Sequence, residues 1–147
     1  MDFLLSDIHS DLASTVDAIL TKADMPTVIR AYAAGDPASA TPVLSQLAEA
    51  GICGLVIDEE HGGSGAGVTE LVVAMEQLGR HGMPGPIVES LAVAPKLLGD
   101  CGLHQRLAPL AEGTPVSCAI EHWQPNAADA PNAAQVYLLA SGTLSVA

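Results

Sequence analysis

Asp58-Glu59-Glu60-His61 places three carboxylates and an imidazole in consecutive positions, and Gly62, Gly63, Gly65 and Gly67 follow at once. Such oxygens could hold a hard cation, but no further oxygen ligands stand in register, so a solvated acidic turn is the simpler reading. The GGSGAG run lacks the G-x-G-x-x-G spacing of a dinucleotide site and the Lys-Ser/Thr of a P-loop. His61, His81 and His104 never meet Glu or His at a metal-ligand spacing on one predicted helix, so surface or satisfied structural placement is expected for them. Glu121-His122 pairs an acid with a base, yet neighbouring strand residues point to opposite faces. Cys53, Cys101 and Cys118 are odd in number and far apart, which indicates neither a disulfide framework nor a zinc site. They read as small buried hydrophobes. These residues therefore nominate no catalytic group and no metal site.

The elements around them are mostly helical. Leu4, Leu5, Ile8, Leu12, Val16, Ile19 and Leu20 form a helical stripe, with Ser6 a candidate N-cap if the helix begins just after it. Val28, Ile29 and Tyr32 follow, then a Gly35-Asp36-Pro37 loop. Pro42 suits the first residue of a helix whose Val43, Leu44 and Leu47 face inward. Residues 52–57 are apolar and too short for an ordinary helix, so they read as a buried strand or a buried connector. From Val68, Leu71, Val72, Met75 and Leu78 recur at helical spacing, with Glu70, Glu76 and Gln77 off the stripe. Gly79 and Gly82 suit that helix's end, where Arg80 and His81 complement its dipole. Pro84-Gly85-Pro86 then turns the chain into a further helix through Val88, Leu91 and Ala94, which Pro95 should kink or divide. A short helix is expected over residues 105–111. Residues 115–120 read as a strand, residues 124–132 as polar loop, and residues 136–139 and 143–146 as a hairpin about Ser141-Gly142.

Gly54, Leu55, Glu59, Glu60, Gly62, Gly63 and Gly65, followed by Glu76, Leu78, Gly79 and Arg80, resemble the acyl-CoA dehydrogenase family's N-terminal domain. There a Gly-Leu-x-x-Pro-Glu-Glu-x-Gly-Gly-x-Gly run precedes a helix ending in Glu-x-Leu-Gly-Arg. Asp58 stands in place of the proline. Pro86, Ser90, Leu98, Gln105, Pro109, Leu110 and Gly113 keep the family's later spacing, and the likeness covers roughly the first 115 residues.

The resemblance implies a mainly α chain. Residues 1–114 would be the helical bundle and residues 115–147 the incomplete start of the middle β-domain, α+β overall and truncated, with the C-terminal four-helix domain missing. It also implies an FAD-dependent oxidoreductase of lipid metabolism and fatty acid β-oxidation that converts acyl-CoA thioesters to α,β-enoyl products. In most members the base is a glutamate of the C-terminal domain. The acyl wall falls on Ile87, Val88, Glu89, Ser90 and Leu91; ordinary core, with Glu89 solvated, is the alternative. The flavin-contacting strand falls on residues 117–123, with Cys118, Ile120 and Glu121 as cofactor-binding positions. The family's Thr-Glu-Pro and Gly-Ser-Asp are missing there, a departure shared with divergent subunits that complete a flavin site with a regular partner. A homo- or hetero-oligomer with another acyl-CoA dehydrogenase chain is therefore expected. A non-catalytic companion subunit is the alternative function, and a metal-dependent hydrolase a remote third.

Composition narrows the partners. Seventeen acidic against five basic residues give a net charge of −12, which argues against nucleic acid and anionic membranes. No uncharged apolar run approaches the roughly 20 residues of a membrane span, and no positive n-region opens the chain. A reducing cytoplasm is the expected compartment. Hydrophobic residues are 49% of the chain and aromatics 3%, so the core must be built from Ala, Val, Leu and Ile. A mean hydropathy of +0.35 in so short a chain implies apolar surface that belongs against another body.

Overall fold

A computed structural model describes residues 5–147, so Leu4 of the first stripe lies outside the described residues. The helices are α1 (Asp7–Lys22), α2 (Met25–Ala33), α3 (Thr41–Glu49), α4 (Val68–Arg80), α5 (Ala94–Asp100) and α6 (Ala108–Ala111). The strands are β1 (Val116–Ile120), β2 (Gln135–Ala140) and β3 (Thr143–Val146). An N-terminal helical bundle thus leads into the start of a β-domain.

α1 and α4 pack side by side in the same direction. His9 Nε2 meets Glu70 Oε1 at 2.9 Å at their first turns, and His81 Nε2 meets Asp17 Oδ1 at 2.8 Å just beyond the end of α4. The Ser6 N–H donates to His9 Nδ1, so Nε2 is the protonated nitrogen of the neutral ring and donates to Glu70. Glu70 Oε2 in turn accepts the Gly67 N–H at 2.9 Å, capping α4. His9 thus takes the N-cap N–H of α1 and Glu70 that of α4, and the two side chains join the helix starts.

The burial of these helices departs from the sequence stripes. On α1, Val16 and Leu20 are buried, whereas Ile8, and Leu5 just before the helix, are exposed. On α4, Val72 is exposed and Gln77 is buried beside Val73, Ala74 and Leu78. Helical spacing defines an arc, but the placement of α1 against α4 selects which edge of that arc is covered.

Residues 52–57 form a connector of turns, the second of the two readings left open. The glycine-rich loop folds back on it, with Ser64 N–H to Gly54 O at 2.9 Å, Gly65 N–H to Ile57 O at 2.9 Å and Ala66 N–H to Leu55 O at 2.7 Å. A β-carbon on Gly63 would sit 1.9 Å from Ile57 O, so only glycine allows this contact. α4 ends in a Schellman arrangement in which Met83 N–H reaches Leu78 O and Gly82, at φ +65°, bonds Gly79 O.

Pro95 does not break its helix. A π-helical segment, Glu89–Val93, runs directly into α5. The missing proline N–H and the clash of its ring with the carbonyl four residues back are relieved by this local change of register.

β1 pairs in parallel with β2, and β2 pairs antiparallel with β3 through the Ser141-Gly142 turn, whose φ values of 49° and 75° are those of a type I′ hairpin. One core lies among α1 to α4 and the connector. A second gathers Ile57, Ala94, Leu98, Leu110, Val116 and Tyr137, so α5 and α6 pack with the sheet.

Candidate functional site

The structure sends the side chains of the five acyl-wall positions in different directions. Ile87 and Leu91 are buried and, with Ser90, line a cleft of about 360 Å³. Val88 is 58% exposed. Glu89 is buried and turned toward the end of β1, where its Oε1 accepts Gln124 Nε2–H at 2.7 Å. A solvated Glu89 is thus not what the fold builds, because Gln124 brings a donor to it from 35 positions away.

Ser90 acts as a partner for the open edge of β1. Its Oγ accepts the Val116 N–H at 2.9 Å and has Pro86 O at 2.8 Å and Val116 O at 3.0 Å as acceptors for its own proton. The hydroxyl therefore sutures the π-helical segment to the first strand.

The remaining cleft walls come from α2, α3, the connector and residues 110–115. Leu44 and Leu110 supply apolar surface, and the buried Cys53 thiol faces the same space. Burial pushes that thiol up to about 11, so it is not a nucleophile at neutral pH. At the rim, the Tyr32 hydroxyl donates to Asp129 Oδ2, and Asn132 Nδ2–H donates to Asp129 Oδ1 at 2.7 Å. Burial, then the Asp129 hydrogen bond and charge, pushes the Tyr32 phenol up to about 12. This contact joins α2 to the loop between β1 and β2 across 97 positions.

The three cofactor-binding positions lie at or beyond β1. Cys118 is buried mid-strand, its thiol pushed up to about 11 by burial and then by the charge of Glu89. Ile120 N–H donates to Gln124 O at 2.8 Å, and Ile120 O accepts from Trp123 and Gln124 N–H. Glu121 N–H donates to Leu139 O at 2.9 Å, and its carboxylate accepts the Ser141 N–H at 2.7 Å. The N–H donors of Ile120 and Glu121 are thus engaged within the chain. The tight turn that engages them, with His122 at φ 68°, leaves Trp123 89% exposed. As they stand, these two N–H groups are not free to donate to a flavin ring.

The other titratable clusters are structural in form. His61 stacks on His104 with ring centroids 4.7 Å apart and meets Glu60 at 3.4 Å. Among the described residues no group of three or more His, Cys, Asp or Glu could hold a metal ion, and no helix is long and apolar enough to cross a membrane. Sequence reading missed Gln124 and the Tyr32–Asp129 pair, whose partners only folding brings together. Nothing local signals either contact.

A helical N-terminal bundle that passes its last helices onto the first strands of a β-domain, with a cleft at the junction, defines the class. The family model for the acyl-CoA dehydrogenase N-terminal domain matches residues 6–106, and the chain belongs to the acyl-CoA dehydrogenase family. A search of curated protein sequences gives no significant match. Among solved structures, the ChsE4-ChsE5 complex from Mycobacterium tuberculosis shares the fold with a TM-score of 0.70 at 15% identity, over 99% of this chain and 47% of that one. The Tcur3481-Tcur3483 steroid ACAD, solved as a variant, gives 0.62 at 20% identity over 90% of this chain and 44% of that one. An electron transferring flavoprotein structure of Acidaminococcus fermentans, concerned with flavin-based electron bifurcation, gives 0.62 at 22% identity over 99% and 40%. The chain spans less than half the length of each of these chains.

Proposed function

We propose that this chain supplies the helical acyl wall of a flavin-dependent acyl-CoA dehydrogenase that acts on the CH–CH bond of acyl-CoA thioesters. It works in an assembly with another acyl-CoA dehydrogenase chain and is inactive alone. Ile87, Ser90 and Leu91 contribute to the acyl pocket, Val88 faces outward toward the assembly, and Glu89 holds the turn after β1 through Gln124. The observation that carries this reading is the apolar cleft at the junction, inside a chain of this family, where it borders the start of β1. Flavin supplies hydride acceptance in such enzymes, and here it is held by groups outside Ile120 and Glu121. The two-chain ChsE4-ChsE5 neighbour supports the hetero-oligomeric form. The cytoplasm is the proposed compartment.

The companion-subunit reading, in which the chain takes no part in chemistry, is favoured by the engaged N–H groups at the end of β1. Visible absorbance separates the two. The purified chain should be colourless, whereas coexpression with a flavin-bearing acyl-CoA dehydrogenase subunit should yield a yellow complex that reduces a dye with acyl-CoA. Stoichiometric flavin on the chain by itself would overturn the assignment of the cofactor to other groups. A complex whose turnover is unchanged by Leu91→Trp would leave only the companion role.

A further inference from the structure

The three-stranded sheet, in the order β1-β2-β3, has two unlike edges. On the β1 side the Ser90 hydroxyl takes the first outward N–H of the strand. On the other side, among the described residues, no strand pairs with β3, and Val146 is 45% exposed. Proteins ordinarily guard such an edge with charge, proline or a bulge. β3 has none of these: its residues are Thr143, Leu144, Ser145 and Val146, and they pair with β2 in unbroken register. Residues 130–147 contain no Asp, Glu, Lys, Arg or His, in a chain with a net charge of −12. The edge therefore suits a strand that is itself uncharged, and β3 of a second copy is such a strand.

The register of the hairpin fixes which groups face outward. Ala147 N–H donates to Val136 O at 2.9 Å. Along an antiparallel strand, residues bonded to one neighbour alternate with residues that face away from it. Thr143, Ser145 and Ala147 thus bond toward β2, and Leu144 and Val146 turn their N–H and C=O groups to the open side. A second copy of β3, placed antiparallel about a two-fold axis at Ser145, sets Leu144 of each copy opposite Val146 of the other. Each of these two pairs exchanges both backbone hydrogen bonds, and Ser145 meets its own counterpart between them.

The faces agree as well. Leu139 opposes Leu144 and Tyr137 opposes Val146, so Leu144 and Val146 lie on the apolar face that buries Tyr137 and Cys118. Residues directly opposite in an antiparallel pair share a face, which brings each Leu144 to a Val146 at β-carbon separations of roughly 4.5–5.5 Å. A slip of one residue would set outward groups against groups already bonded to β2 and mismatch the faces.

We propose that the outer edge of β3 is a self-pairing surface, on which two copies of this chain join antiparallel, Leu144 against Val146, into one six-stranded sheet. This does not depend on the proposed acyl-wall function. Four residues of strand per copy make a contact far smaller than the roughly 1,200 Å² of a standard interface, so the association is weak, on the order of 10⁻⁴ M. Two chains of net charge −12 repel each other, and since the paired strands are uncharged the repulsion acts over distances that salt screens.

The test is sedimentation velocity of the full chain on either side of that concentration, from about 10 μM to about 1 mM, with amide hydrogen exchange followed in the same samples. The mass should rise from 14.9 kDa toward twice that value, and at lower concentration when salt is added. The Leu144 and Val146 amides should gain protection with concentration, and the Ser145 amide, already bonded to β2, far less. Val146→Lys, at a half-exposed position, should weaken association about tenfold or more. Val146→Pro, which removes an outward donor and no bond to β2, should do the same. A chain that stays monomeric at about 1 mM in high salt overturns the proposal. So does a dimer that forms without protecting Leu144 and Val146, or that is indifferent to both variants. Protection of these two amides only on addition of a flavin-bearing acyl-CoA dehydrogenase subunit also overturns it and assigns the edge to that other chain.

Discussion

Replacing Ser90 by alanine is the sharpest test of how the helical bundle holds its first strand. Ser90 is 5% exposed, and its hydroxyl is the partner of the Val116 N–H at 2.9 Å on the side of β1 that, among the described residues, no strand covers. Ser90→Ala removes one small oxygen and adds no bulk, so the dominant cost is a buried backbone donor left without an acceptor, about 1–3 kcal/mol. The hydroxyl's own proton had alternatives in Pro86 O and Val116 O, and Pro86 O still accepts the Ser90 N–H at 2.9 Å within the helix, which limits the loss on that side. A midpoint of ~2 kcal/mol corresponds to roughly 6 °C in Tm for a chain of this size. The assay is urea denaturation of wild type, Ser90→Ala and Ser90→Thr, with amide hydrogen exchange followed at Val116. The alanine variant should lose that stability and its Val116 amide should exchange faster, while threonine, which keeps the oxygen, should restore protection of the amide. A loss below about 0.5 kcal/mol with Val116 still protected would refute the suture argument.

Three further outcomes follow from the packing. Gly63→Ala should destabilise by roughly 3 kcal/mol or more, because its β-carbon would meet Ile57 O at 1.9 Å and the backbone itself must move; chemical denaturation measures it. The Glu70 carboxyl is held below the usual glutamate range by the hydrogen bond of its own backbone N–H and then by His9, so it adds stability above that range that is lost as pH falls through its lowered value. Glu70→Gln should flatten this part of a Tm profile recorded between about pH 6 and pH 3, and an unchanged profile would contradict the cap. With a thiol reagent at mildly alkaline pH, exposed Cys101 should react first and Cys53 and Cys118 slowly; Glu89→Gln should then speed Cys118 alone, since removing the nearby charge lowers its raised thiol pKa.

Much of the framework was legible before any coordinates. The Leu-Gly-Arg helix end, the Pro42 helix start, the strand after Pro115 and the Ser141-Gly142 hairpin all emerged where their residues dictate, because caps, prolines and positive-φ turns act within a few residues. The family likeness was legible for the same reason, since the glycines and Glu-x-Leu-Gly-Arg answer local requirements such as the contact of Gly63 with Ile57.

What lay beyond the sequence was decided by neighbours distant in the chain. Periodicity could not tell that Val72 would face solvent and Gln77 the core, because the covered edge of α4 depends on where α1 lies. It could not separate strand from connector at residues 52–57, since an apolar run looks alike in either and only the returning glycine loop decides. Glu89 reads as a solvated charge until Gln124 arrives, and the N–H groups at the strand end read as free until the turn and β2 take them. Local backbone chemistry is written in adjacent residues, whereas burial, polar satisfaction and the shape of a cleft are properties of surfaces that exist only once the chain has packed.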